Sequence, residues 1–175
     1  MYRIEDIYNL YEEGELNSAN QLLFEYMNIF LEQKRYMSLF EICKKLTLKG
    51  YSSKFVINTY AKLLQVNPFF YDIEIIDIFR KQKKFKELLI SFNSNLSFLN
   101  KMNINDIDKG FLIFLITAIE NKNNFSLIEY KFVIKVMIEI SIIHNNVNIN
   151  YIKILKNYFS LYEKENLKIF LRAFS

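Results

Sequence analysis

The sequence predicts an all-α protein of about ten helices in antiparallel helical hairpins, closed either as a superhelical stack or as a compact multi-helix bundle. Three observations carry that expectation. Apolar residues recur at three- and four-residue intervals nearly throughout, no sustained apolar/polar alternation appears, and short polar turns separate the apolar stretches.

The elements follow in order. Ile4, Ile7, Tyr8 and Tyr11 mark a first helix, broken at Glu13-Gly14-Glu15. Leu16, Ala19, Leu22, Leu23, Tyr26 and Phe30 carry a second to Gln33-Lys34-Arg35, and Leu39, Ile42, Cys43 and Leu46 a third to Gly50-Tyr51-Ser52. The next break is Asn67-Pro68, where Pro68 suits a first helical turn because its missing N–H has no partner there. Phe69, Ile73, Ile76 and Phe79 form the following stripe up to Gln82-Lys83-Lys84, and later breaks fall at 100–105, Lys122-Asn123-Asn124 and 145–150. Ser18 with Gln21 and Ser126 with Glu129 have the spacing of a capping box, and Gly50 suits the left-handed position just past a helix.

With 175 residues, 51% hydrophobic and 24% charged, the chain can fold as a single domain, 1–175, without a disulfide or metal staple. Residues 1–100 form the hairpin-like part. The more apolar part, 101–175, includes 111–119, apolar on every side, 125–143, nearly so, and an amphipathic tail at 166–174. A helix apolar all round is either central in a bundle or part of a self-association interface, so a homo-oligomer is one expectation. Enrichment in Asn, Ile, Lys, Phe and Tyr resembles the codon bias of an AT-rich genome; the 17% aromatic content is therefore not in itself a binding surface.

Cys43 stands alone and cannot close an intramolecular disulfide, while Arg3, Glu5, Asp6, Glu12, Glu13 and Glu15 rule out a secretory apolar segment at the start. A cytoplasmic location is expected. The most apolar run, 110–119, is far shorter than the roughly 18 to 20 residues of a membrane span, so no membrane insertion is expected.

Most enzyme chemistry lacks its parts. Phosphate-cradling loops need glycines that Gly14, Gly50 and Gly110 do not supply in the required pattern, and one Cys with one His is too few for a zinc site. Cys43 and His144 make only a formal dyad, since Cys43 sits in an apolar stripe and His144 at a helix end. The acids Glu12, Glu13 and Glu15, Asp72, Glu74 and Asp77, and Asp106 with Asp108 read as solvated faces or helix starts. No catalytic, cofactor-binding or metal-ligating residue is expected.

Net charge is +4, and its densest feature is Arg80, Lys81, Lys83, Lys84 and Lys86, spanning a helix end and a turn. These five could hold an anionic partner, above all if they shared a face with Lys153, Lys156, Lys164, Lys168 and Arg172.

One pattern recurs at the corners: a polar or Gly turn, then an aromatic or Leu, then an apolar residue three on. It occurs at Gly14-Glu15-Leu16 with Ala19, Lys34-Arg35-Tyr36 with Leu39, Lys83-Lys84-Phe85 with Leu88, and Asn123-Asn124-Phe125 with Ile128. In this respect the chain resembles tetratricopeptide-like helical-hairpin repeat proteins over the first ~100 residues, most closely at Glu13-Gly14-Glu15-Leu16-Asn17-Ser18-Ala19, with uneven spacing against a period of about 34 residues. The stretch 46–50 with Thr59-Tyr60 resembles a pentatricopeptide repeat, whose helical pairs read RNA.

The resemblance implies a non-enzymatic scaffold that binds a protein or peptide, as chaperones, adaptors and regulators of that kind do, with partner contacts near Asn20, Lys54, Asn58 and Lys62. Two alternatives remain open: nucleic-acid binding through the basic corner, and a small inhibitor or immunity-type protein that occludes its target. No cofactor is expected in any of the three.

Overall fold

In the computed structural model, residues 3–101 and 109–122 are described, and every regular element among them is helical. Seven α-helices follow one another: α1 (Ile4–Glu12), α2 (Leu16–Glu32), α3 (Tyr36–Leu48), α4 (Lys54–Val66), α5 (Ile73–Lys81), α6 (Phe85–Asn93) and α7 (Lys109–Glu120), with 3₁₀ turns at Pro68–Phe70 and Ser97–Lys101. The expected count of ten includes 123–175, which lie outside the described residues. Two compact units divide the chain, Met1–Lys122 and Asn123–Ser175, and the elements above belong to the first.

Three helix ends are built alike. At the end of α1, Gly14 adopts φ 81°, its N–H bonding back to Tyr11 C=O at 3.3 Å while Glu15 N–H reaches Leu10 C=O at 2.8 Å. Lys34 (φ 55°) and Arg35 repeat this at the end of α2, bonding to Leu31 at 3.1 Å and Phe30 at 2.7 Å. Lys83 (φ 59°) and Lys84 repeat it after α5, bonding to Arg80 at 3.0 Å and Phe79 at 2.7 Å. A left-handed residue turns the chain while the two backward bonds satisfy carbonyls that the helix leaves open. The next helix then begins at once, with Leu16, Tyr36 and Phe85 as its first residues. These are three of the four corners that share the sequence pattern; the fourth, at Asn123, lies outside the described residues. Gly50 closes α3 with the same bonds at φ 90°.

A left-handed lysine pays a steric penalty that glycine avoids, about 1 kcal/mol. Lys83→Gly is therefore expected to raise unfolding stability by about 1 kcal/mol, because the exposed side chain gives up no packing. Urea unfolding followed by circular dichroism measures it; no gain would mean that the unfolded-state entropy of the new glycine outweighs the relieved strain.

Alternate helices are neighbours: α2 lies beside α4 and α4 beside α6, α3 lies beside α5, and sequential helices cross between these two rows. The interior joins Leu23, Leu39, Ile42, Cys43 and Leu46 to Val56, Ile57, Tyr60 and Leu64, and then to Ile76, Phe79, Leu88 and Phe92. Helix α7 packs on α6, burying Phe111, Phe114, Leu115 and Ala118, so residues 109–120 build the same core as the hairpins before them. Ile113 on α7 is half exposed.

Three local expectations are corrected. Helix α2 starts at Leu16, which places Ser18 inside the first turn instead of at the cap; Gln21 Nε2 instead donates to Glu25 at 3.3 Å, and Leu16 itself is exposed. Between α4 and α5 the chain makes two starts. Asn67 caps the Pro68–Phe70 turn, and Asp72 caps α5 by accepting from Glu74 N–H at 2.9 Å and Ile75 N–H at 3.3 Å. That double start breaks the helical phase, leaving Phe69 and Ile73 exposed while Phe70, Ile75, Ile76 and Phe79 are buried. Asp72 is accordingly a half-buried cap, paired with Lys44 Nζ at 2.7 Å, and not part of a solvated face.

Among the described residues, no helix is long and apolar enough to cross a membrane.

Candidate functional site: an open groove over helices α2, α4 and α6

Lys54, Asn58, Lys62 and Gln65 are spaced by four, four and three residues along α4, which aligns them in one stripe. Phe55 and Thr59 form the adjoining stripe. Because α4 is the middle helix of its row, this surface is walled by α2 on one side and α6 on the other. The result is an open cavity of about 540 Å³, lined by Phe24 and Met27 from α2, the six α4 residues, Ile90 and Ser91 from α6, and Ser94 and Asn95 just beyond it. A second cavity of about 450 Å³ shares Lys54, Ile90 and Ser91 with the first and adds Lys84 and Glu87, so the two form one groove.

Its floor is apolar and open to solvent. Phe24, Phe55 and Ile90 remain 46%, 40% and 61% exposed, and the two rings meet edge to face at 6.3 Å between centroids. Hydrogen bonds hold the walls in place: Ser91 Oγ donates to Asn58 Oδ1 at 2.6 Å, and Gln65 Nε2 donates to the Phe92 carbonyl at 2.5 Å, both tying α4 to α6. Thr59 Oγ1 donates to the Phe55 carbonyl at 2.8 Å and touches Met27 Sδ at 3.3 Å, tying α4 to α2.

Charge in the larger cavity is one-sided. No carboxylate lines the larger cavity, and Lys54 and Lys62 form no ion pair among the described residues. Glu87, in the smaller cavity, is taken by Lys84 at 2.9 Å.

Of the four expected partner-contact residues, Lys54, Asn58 and Lys62 come together here. Asn20 does not. Its Oδ1 accepts from the Tyr11 hydroxyl at 2.6 Å and from Ser53 Oγ at 3.0 Å, in a part-buried cluster that locks α1 and α2 to the start of α4, where Ser53 is the cap. Burial raises the Tyr11 pKa, which keeps the hydroxyl a neutral donor.

The five residues of the basic corner are less free than their density suggests. Arg80 pairs with Asp77 at 3.1 Å and lies over the Phe85 ring at 4.8 Å, Lys84 pairs with Glu87, and Lys83 is the left-handed corner residue. Lys81, Lys83 and Lys86 are exposed. The five cations that would widen this patch if they shared its face, from Lys153 to Arg172, lie outside the described residues.

Cys43 is fully buried, and burial pushes its thiol pKa far up; His144 lies outside the described residues. No cluster of three or more metal-ligating side chains occurs among the described residues. Glu12 is held by Lys49, whose hydrogen bond lowers the carboxyl pKa.

Compared with protein-family models, curated proteins and solved structures, the chain matches none. What the groove can hold therefore rests on its own chemistry. An apolar floor with fixed walls and unpaired lysines suits a chain segment that brings apolar side chains and acceptors. Phe24, Phe55 and Ile90 are the groove residues that periodicity overlooked. Phe24 falls outside the stripe of Ala19, Leu22, Leu23, Tyr26 and Phe30, and a large apolar residue off the core phase was the available signal.

Proposed function

We propose that the protein is a non-enzymatic helical scaffold that binds a protein or peptide segment along the α2–α4–α6 groove, in the manner of tetratricopeptide-like adaptors and chaperones and in a reducing, cytoplasmic setting. One observation carries the reading: three alternate helices present exposed Phe24, Phe55 and Ile90 together on a floor whose walls are fixed by hydrogen bonds. Clustered exposed apolar side chains in a concave, preorganised surface favour association, because binding removes them from water at little ordering cost.

The test recovers the tagged full chain from lysate at moderate salt and quantifies both protein and nuclease-sensitive nucleic acid. Wild type, Ile90→Glu and Lys83→Glu are compared, each with its helical circular dichroism verified. A stoichiometric protein partner, reduced about tenfold or more by Ile90→Glu and unchanged by Lys83→Glu, is expected. Retention of the partner by Ile90→Glu overturns the reading. So does nucleic acid that washes off with salt and is lost with Lys83→Glu.

A further inference from the structure

We infer that the segment held in the groove is acidic, a stretch of a partner protein that carries carboxylates on both sides of a bulky apolar side chain. The inference rests on the groove being the binding face, and it adds the chemistry that would be recognised there.

Complementarity of charge is the first support. Lys54 and Lys62 both line the larger cavity, neither forms an ion pair among the described residues, and no carboxylate lines that cavity. A neutral or basic occupant would cover this surface while leaving two ammonium groups partly desolvated and uncompensated, which is costly. An acidic one turns the same lysines into charge-assisted hydrogen-bond donors.

Spacing is the second. The two lysines stand eight positions apart on α4, a rise of about 12 Å. That distance spans about four residues of an extended chain or about two turns of a helix. Between the lysines lie Phe55 and Thr59 on α4, with Phe24 and Ile90 facing across, so an apolar side chain would descend to the floor while flanking carboxylates reach outward to each lysine.

A nucleic-acid strand suits the groove less well. Polyanion binding depends on a continuous track of cations, whereas the further cation that lines the groove, Lys84, is already paired with Glu87. A second copy of this chain, net +4, would approach with charge of the same sign.

The probe is a fluorescein-labelled peptide, Glu-Leu-Glu-Glu-Phe-Glu-Glu-Leu-Glu, titrated with the full chain by fluorescence anisotropy. Its comparators replace every Glu by Ser, every Glu by Lys, or every apolar residue by Ser, and an oligothymidylate of about twenty nucleotides tests the polyanion reading. Saturable binding is expected, weakened about tenfold or more by Ser for Glu, by the protein variant Lys54→Glu/Lys62→Glu, and by loss of the apolar residues. Lys83→Glu, outside the groove, is expected to leave the affinity unchanged. Equal binding of the Ser-for-Glu peptide overturns the inference, as does tighter binding of the oligonucleotide or no saturation by about 1 mM protein. The two readings fail separately: a lysate partner lost on Ile90→Glu, alongside a peptide signal indifferent to charge, retains the groove as the binding face and removes only its preference for acids.

Discussion

Phe92→Ala is expected to destabilise the protein by about 3 to 5 kcal/mol, the range for removing a large aromatic from a well-packed interior. Phe92 on α6 is wholly buried, with the rings of Phe114 at 4.9 Å, Phe98 at 5.5 Å and Phe111 at 6.3 Å around it. Its backbone carbonyl also accepts the Gln65 bond that ties α4 to α6, and the next residue, Asn93, donates to the Ala118 carbonyl of α7. The cavity left by alanine would thus sit where three elements meet, all of them fixed from other sides and slow to collapse into it. Urea unfolding should show a lower midpoint with an unchanged slope. Phe69→Ala is the control: with Phe69 76% exposed, a change within about 0.5 kcal/mol is expected. If both variants cost the same small amount, α7 is not part of the cooperative core of the first unit.

Much of this architecture could be read from local sequence because it is locally determined. The corners at Gly14, Lys34 and Lys83 recur as one turn with one bonding scheme, and the shared pattern of polar turn, aromatic or Leu, and apolar residue reflects a left-handed residue followed at once by a helix start. Lys54, Asn58 and Lys62 share one face for a similar local reason, since a four-residue spacing puts side chains on one side of a helix whatever surrounds it. The charge density of the basic corner hid its partial neutralisation, although Asp77 and Glu87, the partners of Arg80 and Lys84, lie only three residues away.

The remainder required tertiary placement. Asn20 has the composition of a surface contact, but Tyr11 and Ser53, nine residues before it and thirty-three after, draw it into a network between helices. Phe24 and Ile90 reach the same groove from helices on either side of α4, and nothing in their immediate surroundings couples them. The exposure of Phe69 and Ile73 was hidden by capping chemistry: Asn67 starts a 3₁₀ turn just before the apparent stripe, and Asp72, within it, restarts the helical phase. A stripe that crosses a cap-forming residue such as Asp72 is better divided there before its period is counted.

Asp72→Ala is expected to cost about 2 kcal/mol at neutral pH, combining the loss of a helix cap, about 1 kcal/mol, with that of a half-buried ion pair. Its carboxylate accepts from two backbone N–H groups of α5 and from Lys44 on α3, while its own N–H donates to the Tyr60 hydroxyl at 3.0 Å, which in turn donates to the Phe70 carbonyl at 3.0 Å. One residue therefore fixes the start of α5 against both α3 and α4. Partial burial opposes ionisation, but the Lys44 hydrogen bond and the Ile75 and Glu74 amides outweigh it, and the Asp72 pKa lies below its ordinary value of 3.8. A carboxyl whose pKa is depressed by folding stabilises the protein above the unfolded-state pKa, and that contribution disappears as pH falls through the folded one. Asp72→Asn separates the two roles. Asparagine still caps a helix but carries no charge, so at neutral pH it should cost less than alanine, and its deficit relative to wild type should shrink as pH drops below about 4. Stability measured by urea unfolding from pH 7 down to about 3 decides it; parallel curves for wild type and Asp72→Asn would assign the acid sensitivity to other carboxylates, Glu12 beside Lys49 first among them.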